Sequence, residues 1–235
     1  MKRFLSFLKG FGPYIVFIML VIGYLNDLHG VYGNYIEQKR AEDGLQLLNT
    51  GVSIQHVRSV FGSPIVERHN RDLGLSEYVY SFKKFYLQTV FNEENEVIFF
   101  AVTSKDEKFH PKVPYLKGSL GRTFSELSDT YSENEADHSS KFFEYNEDIY
   151  LGNYGNYRNV YLAYNPAGVD YGNISMLPLD EMPKPSREIS ASFRQSSYPN
   201  TYGVGKILGG REYNETSFGV GIEYFISRDL PEHQY

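Results

Sequence analysis

Apolar positions follow three patterns along this chain, and the first is a run without any charge from Gly10 to Asn26, 17 residues long. As a helix it would rise about 25 Å at ~1.5 Å per residue, the short end of what crosses a bilayer. Phe4, Leu5, Phe7 and Leu8 extend the apolar surface, and Lys9 can snorkel toward headgroups. Tyr14 and Tyr24 stand near the two ends, where amphipathic rings prefer the interface. Lys2, Arg3 and Lys9 precede the run and Asp27 follows it, so the positive-inside rule puts the N-terminus in the cytoplasm. The pattern predicts a single-pass inner (plasma) membrane protein, in contact with lipid through residues 10–26 and with an extracytoplasmic C-terminal bulk. A cleaved signal peptide fits less well, because Gly23-Tyr24-Leu25-Asn26-Asp27 offers no small-x-small site. A buried core helix is the other alternative.

The second pattern is helical. Residues 27–50 read as a juxtamembrane connector carrying a partly exposed helix through Ile36, Lys39, Arg40, Asp43 and Leu47, broken near Gly30, Gly33 and Gly44. Ser53 can cap a short helix whose apolar residues Ile54, Val57, Val60 and Phe61 share one face. Gly62-Ser63-Pro64 stops it, since proline disfavours helix for the residue before it.

The third pattern is alternation. Tyr78 to Phe82 and Phe85 to Phe91 alternate, Asn92 to Asn95 makes a polar turn, and Val97 to Val102 is a third strand-like run. A similar order recurs downstream: Gly121-Arg-Thr-Phe124 opens a helix, Phe142 to Tyr145 resembles a strand, and Val160 to Asn165 parallels Thr89 to Asn92. The first copy would run Gly51, Tyr80, Phe91 and the second Gly121, Tyr145, Tyr164. Pro178 to Glu188 reads as an extended connector, and Ser217 to Ile226 alternates like a strand with glycines on one side, where another backbone could approach closely.

The expected fold class is α+β, with one N-terminal transmembrane helix followed by a helix-plus-antiparallel-meander domain that the recurrence suggests is duplicated. The boundaries are 1–26 for the anchor, 27–50 for the connector and 51–110 for a helix with a three-stranded antiparallel sheet. Residues 111–177 form the second β-rich unit, and 178–235 a connector with a β-containing tail.

Composition sharpens this picture. Aromatics reach 16% with 21 Tyr, 17 Phe and no Trp, which favours pleated, half-buried surfaces. Without Lys2, Arg3 and Lys9, 20 basic residues face 29 acidic ones, so the bulk would repel phosphate backbones and nucleic acid is not expected as a partner. The absence of cysteine excludes disulfides, thiolate metal sites, a thiol nucleophile and an acylated lipoprotein cysteine.

Residues 51–104 resemble the small outer-membrane assembly lipoproteins of the BamE-like (SmpA/OmlA) family. The shared features are Gly51 and Ser53 before the helix, Val57, then Phe61-Gly62-Ser63-Pro64, the strand Tyr78-Val-Tyr80, and Val90-Phe91-Asn92. The resemblance implies a helical pair on a three-stranded antiparallel sheet and a domain that binds protein or lipid without catalysis. Lacking cysteine, this chain departs from that family's lipoprotein character.

No catalytic motif stands out. The six histidines form no HxH, HxxxH or HExxH spacing, and Glu133, Glu135, Asp137 and His138 lack the glycine of an EF-hand, so they read as a solvated loop. No GxSxG or SxxK stands out as a serine nucleophile site, and Gly203 to Gly210 matches neither the Walker pattern nor GxGxxG and reads as a flexible turn. No metal and no cofactor are expected. The most unusual stretch is rich in tyrosine and asparagine, and the candidate binding residues are Tyr150, Tyr154, Asn156, Tyr157 and Arg158. Exposed Tyr beside Asn suits a protein or glycan contact; alternate tyrosines filling a sheet's core give the same pattern. The function expected is a membrane-anchored, non-enzymatic adaptor whose outer domain binds another membrane or envelope protein. Alternatives are a peptidoglycan or surface-glycan binding module, an enzyme assembled from His138, Asp148 and Arg158, and a cytoplasm-facing sensor or effector.

Overall fold

The computed structural model describes residues 19–21, 33, 35–152, 159–172, 174–206 and 218–230. Its centre is one eight-stranded sheet, antiparallel throughout. The strands are β1 (Val66–Asn70), β2 (Leu75–Ser81), β3 (Phe85–Phe91), β4 (Val97–Ser104), β5 (Glu133–His138), β6 (Phe143–Tyr150), β7 (Asn159–Tyr164) and β8 (Thr201–Gly205). Their spatial order is β1-β2-β3-β4-β8-β7-β6-β5, so β4 and β8 form a central seam, with Val102 opposite Tyr202 and Ala101 opposite Gly203.

Two similar halves meet at that seam. In the first, a helical stretch over residues 35–45 (α1) and α2 (Ile54–Phe61) accompany β1–β4; in the second, α3 (Phe124–Leu127) and α4 (Arg187–Ser196) accompany β5–β8. Gly51 (φ +85°) and Gly121 (φ +88°) precede the caps of α2 and α3. The Ser53 hydroxyl accepts from the His56 amide, and the Thr123 hydroxyl accepts from the Glu126 amide while the Glu126 carboxylate accepts from the Thr123 amide. Each cap satisfies amides that the first helical turn leaves unpaired. Ile54 and Phe124, the first helical residues, both point into the core. The halves differ in connection, because α4 interrupts the second between β7 and β8. The residue alignment also differs from the sequence pattern. Tyr145 faces Tyr164 across β6–β7, whereas Tyr80 faces Leu87 and Phe91 faces Ser76.

The helices cover one face of the sheet, as the period of two requires of strands with one buried apolar side. Tyr80, Leu87, Phe100, Val102, Tyr145, Leu162 and Tyr202 point to them and join Val57, Phe61, Phe124 and Phe193 in one core. Beneath α4 lies a buried ion pair. Arg194 Nε donates to Glu147 Oε1 at 2.7 Å, Tyr145 donates to the same oxygen at 2.8 Å, and Arg194 Nη2 donates to the Ser128 carbonyl at 2.5 Å. The Glu147 side chain is 0% exposed and that of Arg194 8%.

Several expectations are corrected here. The architecture is one eight-stranded antiparallel sheet with a few short helices, not a transmembrane helix followed by separate meander domains. The helix-and-meander unit over 51–110 has four strands where three were expected, since Val66–Asn70 adds an edge strand of polar composition. The single-pass inner-membrane placement is overturned as well: among the described residues, no helix is long and apolar enough to cross a membrane. Of residues 10–26, on which it rested, only 19–21 are described, and they are helical and exposed. The expected acidic loop is β5, the glycine-rich turn at 203–205 belongs to β8 at the centre of the sheet, and the expected connector at 178–188 runs into α4.

Candidate functional site

Among the described residues no helix of the core lies on the second face of the sheet, yet its central floor is apolar. Leu75, Val90, Phe99, Ala101 and Tyr161 form one cluster, and Val79, Tyr86 and Ile222 another. Gly203 makes the floor possible. A Cβ there would lie 2.8 Å from the Phe99 ring, which packs edge-on against Tyr161 at 5.6 Å between centroids, so a side chain on β8 would push the two rings apart.

Across this floor runs the C-terminal segment Phe218 to Glu223, followed by α5 (Tyr224–Ser227). Phe218, Val220 and Ile222 pack on the two clusters, and Ile222 is 2% exposed. The segment forms no strand of the sheet; side chains hold its backbone instead. Gln88 Nε2 donates to the Gly219 carbonyl at 3.1 Å, and the Gly221 amide donates to Gln88 Oε1 at 2.9 Å. Asn165 Nδ2 donates to the Val220 carbonyl at 3.2 Å. Gln88 is itself oriented by donation to Glu77 Oε1 at 2.6 Å, and the other Glu77 oxygen accepts from Arg68 Nε at 2.5 Å. Arg68 completes the arrangement with an ion pair to Glu223 at 2.7 Å and a guanidinium carbon 5.2 Å from the Phe218 ring centre. A buried Gln and Glu would each cost free energy alone; here each satisfies the other.

The segment borders a cleft of about 800 Å³ lined by β1 (Arg68, Asn70) and by β5 and β6 (Glu135, Asp137, Glu144). These are opposite margins of the sheet, which would stand some 30 Å apart at ~4.8 Å per strand if it were flat. The sheet therefore curls around its C-terminal segment, as twisted sheets do. Phe142, at the turn before β6, meets Tyr224 at 5.1 Å and Phe225 at 6.4 Å, so the segment touches both arms of the curl.

Carboxylates crowd one side of the cleft. Glu144 lies directly across from Asp137, and burial, then Asp137, Glu135 and Glu223, raise its carboxyl to about 7. Because the folded chain holds this proton more tightly than the unfolded one, the associated stability is full below about pH 4.5 and is lost as pH rises through 7. Glu144→Gln should therefore stabilise the protein by about 1–2 kcal/mol at pH 8 and by almost nothing at pH 4.5, measured by denaturation at both pH values. Equal effects at the two values would contradict the assignment.

Of the candidate residues taken from the sequence, Tyr150 ends β6 and is 49% exposed, outside the cleft lining. Tyr154, Asn156, Tyr157 and Arg158 lie outside the described residues. Other tyrosines of that stretch are structural: Tyr145 is fully buried, Tyr164 donates to Asp170 at 2.6 Å, and Tyr171 donates to the Phe109 carbonyl. His138 and Asp148 do not meet. They pair with Phe143 and Glu133 at opposite ends of the β5–β6 ladder, some 17 Å apart at ~3.4 Å per residue. Among the described residues no group of three or more His, Asp or Glu could hold a metal ion. Gln88, Arg68, Asn165 and Glu223 carry no local motif, and the strand expected over 217–226 is corrected: residues 218–223 form no strand and run into α5.

No protein-family model matches the chain, and no curated protein does. Among solved structures it is similar to a cysteine-rich secretory protein from Staphylococcus aureus subsp. aureus Mu50, at 14% identity and a TM-score of 0.36 over 66% of this chain and 44% of that one. It is also similar to an extracellular protein containing an SCP domain from Bacillus anthracis str. Ames, at 10% identity and a TM-score of 0.37 over 66% of this chain and 43% of that one. The chain thus spans less than half the length of either.

Proposed function

We propose that the chain is a non-enzymatic adaptor that binds another protein through the open face of its curled sheet. One observation carries this: the face already holds six residues of polypeptide, bent at Val220 and Gly221 and gripped through backbone atoms by buried side chains. A surface that satisfies backbone amides and carbonyls and offers apolar hollows between them has the chemistry of peptide recognition. The polar groups of the cleft serve this grip by pairing with one another and with the segment, an arrangement for holding rather than for reaction.

The reading is tested in the organism with a photoreactive amino acid placed in the full chain at Arg71 or Asp137 on the cleft rim, and at Gln55 on the helical side as control. One defined protein should crosslink from the cleft positions and not from Gln55, and the purified pair should then associate. Crosslinking that is absent from the cleft, or equal from both sides, would overturn it.

A further inference from the structure

The interior of the cleft states more about a ligand than that it is a protein. Along Phe218 to Glu223 the positions are not equivalent. Phe218, Val220 and Ile222 face the sheet, and the first lies under the Arg68 guanidinium. Gly219 faces open space, with nothing within 4 Å of where a Cβ would stand. Gly221 is the opposite case. Its φ is +88°, and a Cβ would lie 2.8 Å from Asn165 Nδ2 and 3.0 Å from Thr103 Oγ1. Glu223 meets Arg68.

We propose that this face is a groove for a segment of a partner protein that bends at a glycine, with the pattern aromatic–any–aliphatic–glycine–aliphatic–acidic, and that residues 218–223 are its resident occupant, which the partner's segment must displace. The inference rests on the adaptor reading above and names the ligand class and the regulation of the same site. Among the described residues, the contacts that the groove makes to the segment's backbone atoms come from side chains of the sheet and of the loop after β7, so a segment from another chain can make the same contacts. Tethering gives the chain's own segment an effective concentration in the millimolar range, which a free competitor must overcome. A partner presenting the pattern in a preformed stretch with the same bend, or several contacts at once, would meet that requirement.

The probe is a fluorescent synthetic peptide of the sequence Phe-Gly-Val-Gly-Ile-Glu-Tyr-Phe-Ile, added to the full chain and to full-chain Ile222→Asp, whose own segment should no longer stay docked. The peptide is expected to bind Ile222→Asp at least tenfold more tightly than the unaltered chain, and Gln88→Ala in that background should weaken it at least tenfold. In the peptide, Ala at the position of Gly219 should leave binding within threefold, and Ala at the position of Gly221 should weaken it at least tenfold. Equal binding to both proteins, or equal tolerance at the two glycines, would overturn the proposal. Should Ile222→Asp fail to fold, the chain's lack of cysteine allows a nitroxide on Gly219→Cys, where the side chain has room. Excess peptide should convert its spectrum from immobile to mobile, and an unchanged spectrum overturns the proposal equally. Crosslinking from the cleft without peptide competition would retain the adaptor and discard this ligand class. Peptide binding without a crosslinked partner would do the reverse.

Discussion

Arg194→Met is expected to lower stability by about 3–5 kcal/mol, the cost of leaving a buried charge without its counter-ion. Glu147 is fully buried, and its Oε1 accepts both from Arg194 and from Tyr145. Without the guanidinium, that carboxylate must ionise unpaired or take up a proton, and the carbonyl of Ser128 also loses its donor. Glu147→Gln should cost less, because an amide keeps the volume and a hydrogen bond but strands the cation. The informative variant is the double one. Glu147→Leu with Arg194→Met removes both charges, and replacing a buried pair by apolar residues of similar size is often near neutral. It should therefore recover most of the loss, to within about 1–2 kcal/mol of the unaltered chain. Denaturant titration of the three variants decides the matter: a single-substitution cost below about 1 kcal/mol would show that water or other groups replace the pair.

The second large effect separates the two halves of the sheet. Phe124→Ala should cost about 3–5 kcal/mol and Ile54→Ala about 2–3 kcal/mol, although both residues open the first helical turn after a hydroxyl cap. Phe124 is 0% exposed, packs edge-on against Tyr145 at 5.3 Å and lies 5.8 Å from Phe193, so its loss opens a cavity beside two rings. Ile54 is 8% exposed at the margin of the same core, where neighbours can relax into the space. The backbone amides of both are tied outside their helices, Ile54 to the Asn95 carbonyl and Phe124 to the Ser197 carbonyl. Neither helix should unravel on truncation, and the difference reports packing alone. Thermal and denaturant midpoints in the reverse order would contradict this account.

What the sequence made legible follows from where each residue's contacts come from. Phe85 to Phe91 reads as a strand by its alternation, although the fold buries both of its faces, and Ile54, Val57 and Phe61 declare a helix by spacing. The margins of the sheet were opaque. In β5 only Ala136 is buried, and its carboxylates point to the cleft or to water, so a strand carries the composition of a loop. β8 was opaque for the opposite reason, since Gly203 is there to admit Phe99 and Tyr161, residues distant in sequence. The site suffers from the same distance: Arg68, Gln88, Asn165 and Glu223 become neighbours only when the sheet has curled. The tyrosine-rich stretch is distinctive in composition, yet the hydroxyls of Tyr145, Tyr164 and Tyr171 are bound internally.

The seam between β4 and β8 also sets a timetable. β4 is complete at Ser104, but the strand that covers its free edge begins at Thr201. Translation at about 5–20 residues per second leaves roughly 5–20 s during which the first half is formed and its inner edge is bare. Such an edge, with Phe99 to Thr103 in an apolar run, is a template for pairing with another nascent chain. Messages that slow the ribosome between codons 105 and 200 should therefore lower soluble yield without altering the product.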